Sequence, residues 1–402
     1  MSISPLHGGL VFQEDLQKPK GGAGVAPATT QKVGGLELNQ RDINEFFNPK
    51  VSDLPFEDRV QLCLSVGEEV IQESELRQLL ASKPLFNCYD GFEPSGRMHI
   101  AQGIMKAINV NKITRAGGIF IFWVADWFAL LNNKMGGDLE KIQTVGRYFV
   151  EVWKAAGMEL GNVKFLWAAE EINKRPDEYW QTVIDISRKN NLSRIKRCAQ
   201  IMGRAEGDDV PAAQVLYPCM QCADIFFLKA DICQLGMDQR KVNMLAREYC
   251  DAIGQKEKPI IISHHMLSGL KEGQAKMSKS DPDSAIFMED KEEDVKRKIK
   301  KAYCPEKIVE GNPILDYAKS IIFEKWGSFT VKRDAKNGGD VHYPAYADLE
   351  RDFVQGHLHP GDLKANVADA INKLLMPVRE HFESDPYARK LLEQIKQWQV
   401  TK

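Results

Sequence analysis

No apolar run in this chain comes near the roughly 18 residues a membrane-crossing helix needs, so no helical span is expected. Arginine is absent before Arg41, the acidic Glu14 and Asp15 come early, and the N-terminal apolar stretch is short. A secretory signal or organellar transit peptide is therefore not expected, and cytoplasm is the expected location. Cysteine is sparse: eight in 402 residues, without the spacing of a disulfide framework, which fits reduced thiols rather than a secreted scaffold. Excess charge of one sign is missing too. Lys and Arg number 54 against 56 Asp and Glu, for a net charge of -2, so nucleic acid cannot be bound over most of the surface and any phosphate contact must come from a local patch. Neither G-x-G-x-x-G after a strand nor a Walker A sequence occurs, which removes the dinucleotide fingerprint and the P-loop. There is no internal repeat and no heptad array.

What is present is ordinary globular composition, 43% hydrophobic and 27% charged, with length enough for two or three domains. The first 45 residues, with Gly21, Gly22, Gly24, Pro27, Gly34 and Gly35, read as a flexible tail. From Leu85 an apolar, β-compatible run reaches Tyr89 and enters Gly-Phe-Glu-Pro-Ser-Gly, after which a helical pattern starts near His99. Gly117-Gly118 introduces the continuous apolar run 119–125, as in a parallel strand covered on both faces. Helical stretches near 138–156, 176–190 and 239–253 alternate with apolar runs at Val163–Trp167, Ile232–Leu235 and Pro259–Ser263. This rhythm predicts a Rossmann-like, doubly wound parallel α/β domain over 46–283 with a helical connective insertion. Beyond it the pattern is helical without apolar strand runs, at Lys291–Lys301, Pro313–Lys325, Ala347–Gln355, Leu363–Leu375 and Pro386–Gln397. A separate α-helical domain is expected over 284–402.

Two segments carry chemistry. In Glu93-Pro-Ser-Gly-Arg-Met-His99-Ile-Ala-Gln-Gly103 a glycine loop joins a strand end to a helix start, where free backbone N–H groups and the positive dipole end suit a phosphate. Lys276-Met-Ser-Lys-Ser280 lies between Gly269, Gly273 and Asp281-Pro282, so two lysines sit in a loop whose glycines allow movement. Displacement at an α-phosphate asks little covalent chemistry of a protein but needs cations on the phosphates and the departing pyrophosphate. If the segment after Pro218 is helical, with Pro in its first turn, then Tyr217, Gln221 and Asp224 share one face at i, i+4 and i+7. Cys219 and Cys222 point away from that face and lack a second pair at metal spacing, so they read as packing residues and no metal site is expected.

Together the two segments resemble the paired signatures of class I aminoacyl-tRNA synthetases, with His99-Ile-Ala-Gln102 in place of the His-Ile-Gly-His type and Lys276–Ser280 matching letter for letter. Within the class the chain is similar to the archaeal and eukaryotic tyrosyl type over about residues 55–385, through Tyr89–Gly96, Tyr217–Asp224, Gly236–Lys241 and Gly338-Gly-Asp340. The resemblance implies activation of L-tyrosine by Mg-ATP and transfer to tRNA(Tyr), with no tightly bound cofactor, in a homodimer. It implies catalytic roles for His99, Gln102, Lys276 and Lys279. Tyrosine would be held by Tyr89, Tyr217, Gln221, Asp224 and Gln239, and ATP by Gly91, Glu93, Gly96, His99, Lys276, Met277, Ser278, Lys279 and Ser280. Arg240 and Lys241 would read the acceptor stem and Asp362 the anticodon, with Asn337 where archaeal relatives have an aromatic residue. A tryptophanyl enzyme and a non-catalytic RNA-binding module remain the alternatives. The basic stretch 296–301 is open between a solvated face and a tRNA contact, as is which of His264 and His265 approaches ATP.

Overall fold

The computed structural model describes residues 41–199, 211–277 and 281–398. Nearly all of the expected tail lies outside them. Its last residues do not: Asn44 gives and receives hydrogen bonds with the Phe165 backbone at 2.9 and 2.8 Å, so the chain is fixed to a sheet edge before residue 45.

Six strands form the main sheet: β1 Glu69–Ile71, β2 Phe86–Phe92, β3 Gly118–Val124, β4 Val163–Trp167, β5 Ile232–Gly236 and β6 Ile260–His264. Their order is β1-β6-β5-β2-β3-β4, all parallel except β1 against β6. The five parallel strands follow the expected apolar runs. The edge strand β1 does not, being three half-buried residues with no apolar run to announce it. From β2 the chain winds outward through β3 and β4, then resumes on the other side with β5. The winding direction thus reverses between β2 and β5, and a crevice opens beyond their C-terminal ends, where ligands of such sheets bind.

Pleating divides the core in two. On one face Cys88, Phe120, Phe122, Ile232 and Ile262 pack with Ile104, Phe149 and Trp153. On the other, Tyr89, Ile121, Trp123, Cys233, Leu235 and Ile261 pack with Tyr179, Ile225 and Leu245. The first of these clusters runs on into the C-terminal helices through Met288, Ile299 and Leu375.

Four local expectations are corrected. The helix carrying Tyr217 spans Ala213–Phe227, so Pro218 sits in its interior and not in its first turn. Burial of nearly every neighbour outweighs the missing backbone donor there. The helix expected after His99 opens with a π-turn, Ala101–Met105, before Lys106–Arg115. The C-terminal region is not purely helical, because β7 Phe329–Val331 and β8 Val341–Tyr343 form a short antiparallel pair. Its longest helix, Pro360–Ser384, passes through Pro377 where the sequence pattern suggested a stop at 375.

The lysine loop is pinned at both ends. After β6, His265 pairs with Asp316 at 2.9 Å, the Ser268 N–H donates to the same carboxylate at 3.0 Å, and the Tyr317 hydroxyl donates to the Ser268 carbonyl at 2.9 Å. On the far side Phe287 bridges to His99, flanked by Ile100 N–H to Ile286 O and Met288 N–H to Met98 O, both 2.9 Å. A side chain at Gly103 would meet the Met288 side chain and force it to move, so glycine fits closely beside this join.

The hydrogen bond to Asp316 outweighs burial and raises His265 above its ordinary 6.5. Burial alone would raise Asp316, but His265 and Ser268 bring it below the usual carboxylate value of 3.8. A raised histidine contributes stability that is full below its unfolded pKa and is lost as pH rises through the folded one. The melting-temperature gap between this chain and a His265→Ala variant is therefore expected to be larger at about pH 6 than at about pH 9. Scanning fluorimetry at both values checks it, and an equal gap would show that the pair does not act as an ion pair.

Candidate active site

At the crevice, Tyr217, Gln221 and Asp224 share one face of the Ala213–Phe227 helix, as their spacing predicts, and all three are buried. Tyr89 comes from the middle of β2 on the same side of the sheet. Its hydroxyl donates to Asp224 Oδ2 at 3.4 Å, while the Tyr179 hydroxyl donates to Oδ1 at 2.8 Å. Tyr179, from the Pro176–Lys189 helix, was not singled out by sequence, where it is one aromatic on an apolar helix face. Burial pushes Asp224 well above the usual carboxyl range, and the bonds from Tyr179 and Tyr89 pull against it. An ionised carboxylate here depends on hydroxyl donors.

The other end of the cluster is rich in acceptors. The Gln221 amide donates to Gln239 Oε1 at 3.2 Å. The Tyr217 hydroxyl donates to Glu93 Oε1 at 2.7 Å, Asn132 Nδ2 lies 3.1 Å from both Glu93 oxygens, and Lys134 pairs with it at 3.7 Å. Glu93 was expected among the nucleotide residues. Its hydrogen bonds put it beside Tyr217, where the loop after β2 meets the helix carrying that residue. A carboxylate, two amide oxygens and a phenol together suit a primary ammonium.

Next to this lies the expected nucleotide loop. Gly96 has φ +80°, a conformation that favours glycine. A Cβ at Gly91 would stand 2.9 Å from the Tyr89 hydroxyl, so glycine there clears the phenol-binding end. The Gln102 carbonyl accepts from the Trp153 indole at 2.8 Å, and its side-chain Oε1 is buried with no partner among the described residues. Lys276 pairs with Asp238 at 3.3 Å, and Met277 is buried beside it. Ser278, Lys279, Ser280 and the Asn337 side chain lie outside the described residues. His264 is buried under the site, whereas His265 is committed to Asp316. Cys219 and Cys222 pack in the apolar cluster behind Tyr89.

The candidate RNA residues are dispersed. Arg240 opens the Arg240–Ile253 helix and holds Glu69 of β1 through two hydrogen bonds of 2.5 and 3.0 Å, with Lys241 next in that first turn. Asp362 stands in the first turn of Pro360–Ser384. Lys298, within the basic stretch, is buried and donates to Asp290 at 2.6 Å, so that stretch is not a uniformly solvated face.

Residues 82–376 match the family model described as tRNA synthetases class I (W and Y). The chain belongs to that family. Among curated members of the family, it is 63% identical over 346 residues to tyrosine–tRNA ligase 1, cytoplasmic, of Arabidopsis thaliana, covering 86% of this chain and 90% of that one. Among solved family structures, a Leishmania major tyrosyl-tRNA synthetase in complex with tyrosinol is 57% identical with TM-score 0.81, over 87% of this chain. This chain spans about half of that protein, 54% of its length. The Pyrococcus horikoshii tyrosyl-tRNA synthetase complexed with L-tyrosine is 38% identical with TM-score 0.78, over 85% of this chain and 100% of that one.

Tyr179→Phe deletes the shorter of the two bonds to a buried carboxylate. Losing such a donor costs about 1–3 kcal/mol, so kcat/KM for the aromatic substrate is expected to fall about five- to 150-fold with little change in the KM for ATP. Steady-state kinetics of the variant check this; an unchanged kcat/KM would show that Tyr179 only packs.

Proposed function

We propose that this class I synthetase activates L-tyrosine with Mg-ATP and transfers it to tRNA(Tyr). The observation that carries the reading is the buried Asp224 carboxylate flanked by the hydroxyls of Tyr89 and Tyr179. A substrate phenol donates to Asp224 and accepts from Tyr89. Phenylalanine can make neither bond and leaves Asp224 with only the Tyr89 and Tyr179 hydroxyls in a desolvated site; discrimination by tyrosyl-tRNA synthetase is itself the standard case of selection by a substrate hydroxyl. An indole N–H could donate to Asp224 but could not accept from Tyr89, so the pair suits a phenol better than the tryptophanyl alternative.

The substrate ammonium meets Tyr217, Gln221, Gln239 and the nearby Glu93, which leaves the carboxylate facing the nucleotide loop. That carboxylate attacks the α-phosphorus of ATP, forming the mixed anhydride and releasing pyrophosphate. Gly91 and Gly96 admit the nucleotide backbone-close, while His99 and Gln102 serve the phosphates. Lys276, Lys279 and the Met277, Ser278 and Ser280 backbone close over pyrophosphate. In the structure Lys276 already has a carboxylate partner in Asp238, so closure exchanges one anion for another. A ribose hydroxyl of the terminal tRNA adenosine then attacks the anhydride's carbonyl carbon, forming the ester and releasing AMP. Rate comes from positioning and charge stabilisation.

Residues 284–402 form the anticodon-binding part, with Asp362 reading a base. Arg240 and Lys241 meet the acceptor stem, which requires Arg240 to leave Glu69. The working assembly is a homodimer in the cytoplasm; Ile184 and Leu192, 57% and 55% exposed, are apolar surface available for the subunit contact.

Amino-acid-dependent exchange of labelled pyrophosphate into ATP, with each standard amino acid offered singly, tests the reading. Exchange with tyrosine alone is expected; exchange with tryptophan, or none, would overturn it. Lys276→Ala should lower the exchange rate at least about tenfold through lost charge stabilisation while tyrosine binding by calorimetry stays the same. An unchanged rate would remove Lys276 from the phosphate site.

A further inference from the structure

On the sheet face turned toward the Lys106–Arg115 helix, β2 carries Asp90 just past its middle, β5 carries Gln234 at its middle and β6 ends on His264. One pleat earlier the same positions are apolar, with Cys88, Ile232 and Ile262. Lys106 joins them from the helix, so four polar side chains, none more than 9% exposed, meet under the crevice. Lys106 pairs with Asp90 and donates to Gln234 Oε1 at 3.2 Å, and Gln234 Nε2 lies 2.7 Å from His264 Nδ1.

Donor and acceptor counting then fixes the ring. An ammonium can only donate, so the Gln234 amide must turn its oxygen to Lys106 and its NH2 to the imidazole. Nδ1 must accept, and a neutral His264 keeps its proton on Nε2. Burial, with Lys106 and the adjoining His265, holds His264 well below its ordinary pKa, while a hydrogen bond to the Leu235 backbone pulls the other way. The charged and titratable groups around the ring are thus Lys106 from the helix, Asp90 of β2 behind it, Asp238 of the following turn, and His265 along its own segment. Nε2 faces Gly236: a methyl group there would stand 3.7 Å from Nε2 and 2.8 Å from Asp238 Oδ1. The turn that begins at Gly236 carries Asp238 to Lys276 and Gln239 to Gln221. A charged network costs desolvation that an apolar cluster of the same volume would avoid, and here it lies on the ligand side of the apolar positions.

We propose that Asp90, Lys106 and Gln234 form a relay that fixes the tautomer of His264, and that His264 is a positioning residue for the Gly236–Gln239 turn. The relay thereby ties the strand bearing Tyr89 to the partners of the lysine loop and of the substrate ammonium. The positioning role rests on the tyrosine-ligase reading; the tautomer is measured without substrate and stands apart from it.

Long-range proton–nitrogen spectra of the full chain labelled with 15N-histidine, from about pH 6 to 8.5, read the ring, with His264 assigned by the signals missing in His264→Asn. A single Nε2–H tautomer that does not titrate is expected. Gln234→Glu replaces the amide donor by an acceptor, so the ring should take a second proton and titrate. Its kcat for tyrosine-dependent pyrophosphate exchange should fall about tenfold at neutral pH, the usual scale of one misplaced hydrogen bond. Gln234→Leu should lower kcat similarly without a titrating ring. An Nδ1–H tautomer or a titrating His264 in the unmodified chain overturns the relay. A folded variant with an altered ring and unchanged exchange kinetics overturns the positioning role. Should neither variant fold, the unmodified chain's spectrum alone decides the relay, and folded His264→Asn with unchanged kcat would overturn the positioning. Absence of exchange in the unmodified chain would instead count against the ligase reading.

Discussion

In the middle of β2 the pleat sends Tyr89 to one face of the sheet and Asp90 to the other, and both halves of the site depend on that alternation. Tyr89 meets Asp224 and Tyr179 above the Ala213–Phe227 helix. Asp90 meets Lys106 on the opposite side, beside the helix that continues from His99. Gly91 follows because a side chain there would strike the Tyr89 hydroxyl. A register slip of one residue would exchange the two faces and dismantle both arrangements. The parallel pairing of β2 with β3 and β5 guards against that slip, since each face of β2 is already committed to an apolar cluster.

Two buried carboxylates on either side of one strand are stabilised in different ways. Asp224 has neutral hydroxyl donors and stays hard to ionise, so its charge is best supported when a further hydroxyl arrives. Burial raises Asp90 as well, but there the opposing influence is a full positive charge on Lys106. The first solution leaves room for a ligand's hydrogen bond; the second is closed upon itself. The lysine loop depends on neither directly. It is held at one end by Asp316 from the helical region and at the other by the join between Phe287 and His99, so the nucleotide loop and the lysine loop share a physical anchor.

Much of this was legible in the residues alone. The apolar runs at 119–125 and 163–167 read as strands and are strands, and the paired signatures pointed to the chemistry. The shared face of Tyr217, Gln221 and Asp224 survived a misplaced helix start, because any start before Tyr217 preserves the same 3.6-residue period. What escaped depends on side chains meeting from distant elements. Tyr179 looks like any aromatic on an amphipathic helix until Asp224 is placed beside it. Glu93 sits inside a nucleotide signature, and only the course of the loop reveals its bond to Tyr217. The Asp90, Lys106, Gln234 and His264 cluster draws one residue from each of four elements. The edge strand β1 and the β7–β8 pair are too short to leave a period-two pattern.

The central claim is that Asp224 recognises a hydroxyl on the substrate. A double-mutant cycle in binding free energy, with Asp224→Asn as one change and phenylalanine for tyrosine as the other, measures it by calorimetry on the folded chain. The account predicts a coupling of about 2 kcal/mol or more, the scale of a hydrogen bond to a charged, desolvated partner. Additive effects, with tyrosine and phenylalanine losing affinity equally on removal of the carboxylate, would contradict it.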